Sequence, residues 1–175
     1  MQGFKAVAIM LMYPEPWWLD ETEHLHAALS RCHARAARLL APLLEELGTA
    51  DRLWLQERYV DTFDRVPDHA LYLLQHRPEV SRGDAISALV DRYRSHGLEL
   101  TGNELPDYLP LFLEYLSLLP PAEARRELAP YRGVIATLRE RLAGRSSAYA
   151  ALFDAIALLA GTPLVTMGSL WQRSP

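Results

Sequence analysis

Apolar residues recur three and four positions apart along almost the whole chain, and proline or glycine interrupts the pattern at short intervals. A set of short packed helices satisfies that pattern. No segment alternates apolar and polar residues as a half-buried strand would. Phe4, Val7, Ala8 and Leu11 mark a first helix, ended by Pro14 and Pro16; Trp17 and Trp18 follow in a loop, where they pack between helix ends or anchor a partner. Leu25, Leu29, Ala36, Leu39, Leu40, Leu43 and Leu47 mark one long helical segment. Pro42 should kink or split it, and Gly48 suits the position just past its end. A further helix is expected from Ala50 to Asp64, with Leu53, Gln56, Val60 and Phe63 as its buried stripe and Tyr59 beside it. Asp68 can cap a short helix carrying Leu71, Tyr72 and Leu74, which Pro78 stops.

Ser81-Arg82-Gly83-Asp84 reads as a helix start ahead of Ala85, Ile86, Leu89, Val90 and Tyr93. This explains the Arg-Gly-Asp triplet better than integrin recognition does. Gly97 ends that helix. After the turn from Leu98 to Pro106, Asp107 is the expected N-cap of a helix lined by Leu109, Phe112, Leu113 and Leu116. Pro110 costs nothing there, because the first helical N–H groups lack partners anyway. Pro120-Pro121 ends that helix and starts the next. Two more helices follow, carrying Val134, Ile135, Leu138 and Leu142, and then Tyr149, Leu152, Phe153, Ile156 and Leu159, the second capped by Ser146 or Ser147. The expected fold class is all-α: a single-domain helical bundle over residues 1–161, with residues 162–175 as a flexible C-terminal tail.

At 175 residues a chain can bury roughly 70% of its unfolded surface without staples. A net charge of −4 argues against a nucleic-acid module. One cysteine, Cys32, excludes an internal disulfide. His24, His26, Cys32 and His33 are poorly spaced for ligands on one helical face, and His69 and His76 lack further ligands at helical spacing, so no metal site is expected. No apolar run approaches the ~20 residues of a membrane span, and no cleavable leader is apparent, which makes the cytoplasm the expected location. There is no Walker A, G-x-S-x-G or G-x-G-x-x-G pattern, and nothing argues for catalysis.

From Ser95 to Ala124 there is no Lys or Arg, while Glu99, Glu104, Asp107, Glu114 and Glu123 fall in the same stretch. Such a segment suits a basic peptide partner, although a solvated acidic surface has the same composition.

Gln56-Glu57-Arg58-Tyr59-Val60-Asp61-Thr62-Phe63-Asp64, then Ser81-Arg82-Gly83, then Glu104-Leu105-Pro106-Asp107-Tyr108-Leu109-Pro110-Leu111-Phe112-Leu113-Glu114-Tyr115-Leu116 resemble, in order, the NarJ-type nitrate reductase assembly chaperones. These belong to the wider TorD/DmsD-like redox-enzyme maturation proteins. The resemblance covers most of residues 4–160. It implies a TorD-like, NarJ-like all-α fold and a cytoplasmic, non-catalytic chaperone. Such a chaperone binds the N-terminal peptide of the nitrate reductase catalytic subunit until molybdopterin guanine dinucleotide is inserted. That cofactor belongs to the client, so none is expected in this chain; molybdenum cofactor delivery proteins are further expected partners. A monomer is expected, with a dimer as the alternative. The wider family's E-x-P-D-H pattern falls on Glu104, Pro106 and Asp107, with Tyr108 where the histidine stands. The run Gln75-His76-Arg77-Pro78-Glu79-Val80 also departs from the histidine- and glycine-rich stretch of NarJ relatives.

A helical bundle takes a peptide by laying an amphipathic helix into an apolar groove with charges on its rim. Leu109, Phe112, Tyr115 and Leu116 are expected as groove wall, Tyr59 and Tyr108 as amphipathic lining, and Glu104, Asp107 and Glu114 as the acidic rim. The alternatives are a maturation chaperone for a dimethyl sulfoxide or trimethylamine N-oxide reductase, against which Tyr108 counts, and a small helical enzyme.

Overall fold

The computed structural model describes residues 2–145 and 147–161. Ser146 and the expected tail, residues 162–175, lie outside the described residues. The first helix, α1 (Gln2–Met10), is the centre of the bundle, because it is apolar on nearly every side and sinks Phe4, Val7 and Met10 into the core, with Leu11 just past its end. Each such side chain contributes about 1.5–3 kcal/mol through the apolar area it removes from water. Around it pack α3 (Thr22–Cys32), α7 (Leu109–Leu118) and α10 (Ala150–Leu159). A further helix, α4 (Ala34–Thr49), packs against α3 and α10, and α9 (Arg132–Gly144) against α10. The remaining α-helices are α2 (Pro16–Leu19), α5 (Arg52–Tyr59), α6 (Arg82–Ser95) and α8 (Pro121–Leu128). There are no β-strands among the described residues, so the all-α expectation is met; an isolated antiparallel bridge joins Tyr72 to Tyr108.

Several local expectations are corrected. The long segment from Leu25 to Leu47 is two helices broken at His33, whose ring Nδ1 accepts the Ala36 N–H at 3.1 Å. Pro42 sits inside unbroken α4 on its exposed side, where water can satisfy the carbonyl that proline leaves without a donor. Gly48 is helical too and does not end α4. A Cβ there would lie 2.7 Å from Thr22 Oγ1, so the glycine serves the close approach of α3 to α4. Trp17 and Trp18 are in α2, which Pro16 opens; Trp18 is buried and its indole donates to the Tyr13 carbonyl at 2.9 Å, while Trp17 faces solvent.

In the next helix the buried stripe is Leu55, Tyr59 and Phe63, not Leu53, Gln56 and Val60; Leu53 is 63% exposed. The winding passes from α to π over Val60–Asp64, and the wider turn brings Phe63 under Tyr59. No α-helix forms between Asp68 and Pro78. Two 3₁₀ turns, Pro67–His69 and Leu73–His76, flank an extended piece that pairs with the start of α7. Ser147 stands before a turn, and α10 begins only at Ala150, so the serine side chain does not cap it.

That pairing positions the loop ahead of α7. Gly97, at φ 73°, ends α6 in the left-handed conformation that glycine tolerates. The Tyr93 hydroxyl then donates to the Pro106 carbonyl at 2.7 Å, Leu73 N–H to the Asp107 carbonyl at 2.9 Å, and Leu109 N–H to the Leu71 carbonyl at 2.7 Å. Asp107 is therefore not the N-cap of α7, a position taken by Tyr108. Its carboxylate turns inward, fully buried, and accepts the Leu74 N–H at 3.1 Å.

Candidate peptide-binding site

Two clefts open on either side of Glu104. The first, of about 470 Å³, is lined by Tyr13, Tyr59, Phe63, Asp64, Leu71, Tyr72 and Tyr108, with Glu104 on its edge. Tyr59 donates its hydroxyl to the Leu11 carbonyl at 2.9 Å and lies 3.5 Å from the Tyr108 hydroxyl, tying α5 to the end of α1. The Tyr72 and Tyr108 rings meet with centroids 5.4 Å apart, and the Tyr72 hydroxyl donates to Glu104 at 3.2 Å. Burial, chiefly, raises the pKa of Tyr59 and of Tyr108 above the ordinary phenol value. The cleft thus offers neutral hydroxyls and apolar ring faces, with Asp64 and Glu104 as its carboxylates.

The second cleft, of about 230 Å³, is largely apolar. Leu111, Glu114 and Leu118 on the outer side of α7, with the buried Tyr115 beneath them, form one wall, and Leu98, Leu100 and Tyr93 form the other. Glu99, Glu104 and Glu114 stand on its rim, which has no Lys or Arg of its own. From outside, Lys5 reaches Glu114 at 3.3 Å with both side chains about half exposed, an ion pair that water screens strongly. Burial, with the Glu127 charge adding to it, pushes the Tyr115 pKa up to about 12, so its hydroxyl stays protonated.

Five of the expected residues therefore converge here. Tyr59, Tyr108 and Glu104 line the first cleft, and Glu104, Glu114 and Tyr115 the second. Asp107 and Phe112 are sealed beneath it, at 0% and 1% exposure, and support the site without reaching its surface. Leu109 and Leu116, expected as groove wall, belong to the core; Leu111 and Leu118 stand in their place. Tyr13, Asp64 and Tyr72 were not foreseen. Tyr72 meets Tyr108 through a pairing between distant segments that periodicity does not register.

His96 closes the end of α6 behind the second cleft. Its ring lies 3.0 Å from the Arg92 carbonyl, 3.2 Å from Glu123 and 3.2 Å from the Tyr115 hydroxyl. The Arg92 carbonyl first and the Glu123 carboxylate second raise its pKa above 6.5 by favouring the imidazolium. A raised folded-state pKa gives stability that is fully present below pH 6.5 and is lost as pH rises through the folded value. NMR titration of His96 is expected to give a midpoint above 6.5, and His96→Gln to remove this pH dependence of the unfolding midpoint.

Among the described residues no three His, Cys, Asp or Glu side chains converge as a metal site would require. None of the described helices is long and apolar enough to cross a membrane.

Comparison with known proteins places this architecture. The model of the nitrate reductase delta subunit family matches residues 26–155. The chain is 39% identical over 163 residues to the nitrate reductase molybdenum cofactor assembly chaperone NarJ of Escherichia coli K12, covering 90% of this chain and 69% of NarJ. It is 38% identical over 166 residues to the probable nitrate reductase molybdenum cofactor assembly chaperone NarW of the same strain, covering 94% and 70%. Identity to the probable NarJ of Bacillus subtilis 168 is 30% over 156 residues, covering 87% and 85%. On the extent of these matches, the chain belongs to the nitrate reductase delta subunit family, whose relatives here are named as assembly chaperones.

Proposed function

We propose that this chain is a non-catalytic, cytoplasmic chaperone that holds the N-terminal segment of an apo nitrate reductase catalytic subunit in the clefts beside Glu104. It keeps the client open while molybdopterin guanine dinucleotide is inserted into the client and the complex is assembled. The cofactor would be held by the client and brought by its own delivery proteins. The observation that carries this reading is the convergence of Tyr59, Tyr108 and Tyr115 with Glu104 and Glu114 around apolar walls whose charged lining residues are all acidic. An amphipathic helix fits such a site with its apolar face down and its basic residues on the rim. Membership of a family whose named members assemble nitrate reductase supplies the client class.

Calorimetric titration with the first ~15–25 residues of the nitrate reductase catalytic subunit from the same genome, a length that fills a helix-in-groove site, tests this reading. Saturable binding that weakens as salt rises is the expected result. A folded protein that leaves the soluble peptide unbound would overturn it.

A further inference from the structure

A second surface lies next to the first cleft. Trp17 is 58% exposed, Leu53 63% and Trp54 45%, although the core has taken up most other large apolar side chains. They come from two elements fastened together on both flanks. The Gln56 side chain donates to the Pro14 carbonyl at 2.8 Å, and Arg52 pairs with Asp20 at 3.6 Å, so α2 and the first turns of α5 lie side by side. Trp54 is also held from below, where the Arg58 guanidinium stacks 4.6 Å from its ring centroid.

The surroundings are acidic. Glu15 stands at the start of α2. Glu57, Asp61 and Asp64 follow Leu53 and Trp54 along the exposed side of α5 and the π turn, and Asp64 lines the first cleft. The basic groups on this side are engaged: Arg52 by Asp20, Arg58 by Glu46, Arg65 by Asp61. Glu15, Glu57 and Asp64 have no ion pair among the described residues. The patch adjoins the cleft, since Tyr13 lines the cleft and stands just ahead of α2.

Rigid tryptophans with an acidic border suit a helix whose apolar residues meet the rings and whose Lys or Arg residues meet the carboxylates. We propose that Trp17, Leu53 and Trp54, bordered by Glu15, Glu57 and Asp64, dock a basic amphipathic segment of the client that follows the one held beside Glu104. This rests on the peptide-binding reading above. The leader enters the tyrosine cleft, and the chain behind it runs over Tyr13 and the acidic side of α5 onto the tryptophans. Joining two weak contacts in one chain raises affinity without any new contact type.

The probes are two synthetic peptides from the client N-terminus, one of ~20 residues and one of ~45, titrated into the whole protein, the shorter filling the helix-in-groove site and the longer spanning both. The longer one is expected to bind at least about tenfold tighter. The variant Trp17→Ser with Leu53→Ser is expected to erase that gain and leave the affinity for the shorter peptide unchanged. Both positions are exposed, so the variant stays folded, and its unfolding midpoint checks this. A longer peptide that binds no tighter, or a gain that survives in the variant, would overturn the proposal. So would concentration-dependent self-association in sedimentation that the variant abolishes, which would make the occupant a second copy of this chain. If even the shorter peptide fails to bind, the chaperone reading fails first and this proposal falls with it.

Discussion

Asp107→Lys is expected to leave no cooperatively folded protein, and Asp107→Ala to lower the unfolding free energy by about 1.5–3 kcal/mol. The carboxylate has no exposure to solvent and accepts the Leu74 N–H at 3.1 Å, beside the Leu73 N–H that bonds to the Asp107 carbonyl at 2.9 Å. Arg82 stands 3.9 Å from the same carboxylate oxygen. Alanine would leave the Leu74 donor buried without an acceptor. Lysine would add a charge of the wrong sign facing an N–H dipole and a guanidinium, and a buried unpaired charge costs about 3–5 kcal/mol. That is a large part of the stability of a domain this size, about 5–15 kcal/mol. Asp107→Asn keeps an acceptor oxygen and should lose the least. Urea unfolding followed by circular dichroism ranks the three variants. A folded Asp107→Lys with a normal midpoint would show that this carboxylate does not pin residues 71–74 to the start of α7.

The same residue shows what periodicity conveys and what it omits. Spacing of apolar residues placed nearly every helix, because a helix buries one face wherever it sits. It identified Phe4 and Val7 in α1, Leu11 just past its end, and Leu152, Phe153 and Ile156 in α10 as core. It failed where a distant segment decided the outcome. An aspartate just ahead of an apolar run reads as an N-cap, and only the extended piece at Leu71–Leu74, remote in sequence, turns it inward. The sequence LPLFLEYLSL of α7 is apolar on most sides, so spacing alone could not say which face meets α1 and which faces the cleft. Helix α5 shows the same difficulty from another cause. Leu53 matches the period, but the π turn at Val60–Asp64 changes the register and leaves Leu53 outside. The acidic character of residues 95–124 was readable from composition alone, and the structure divides it into roles. Glu104 and Glu114 reach the rim, Glu123 pairs with His96, and Asp107 holds the fold.

Glu104→Lys combined with Glu114→Lys is expected to weaken binding of the client leader peptide by about tenfold or more at low salt, since a basic peptide would then face like charges on the rim. Glu104 is the side chain common to both clefts, and Glu114 stands on the outward stripe of α7. Neither supports the core. Glu104 accepts a single hydrogen bond from the exposed Tyr72 hydroxyl, and Glu114 makes a half-exposed pair with Lys5. The variant should therefore keep its helicity and unfold within about 0.5 kcal/mol of the original. The loss should also shrink as salt rises, because the screening length falls from about 10 Å at 0.1 M to about 3 Å at 1 M. Titration of the leader peptide at both salt concentrations separates the possibilities. A loss that is equal at the two concentrations would mean that the glutamates shape the cleft rather than attract the peptide. An unchanged affinity at low salt would move the binding site away from Glu104 altogether. The combination of a tenfold loss, salt dependence and an intact fold is what a rim of carboxylates around an apolar groove must produce, and neither a general loss of stability nor a remote site would give all three.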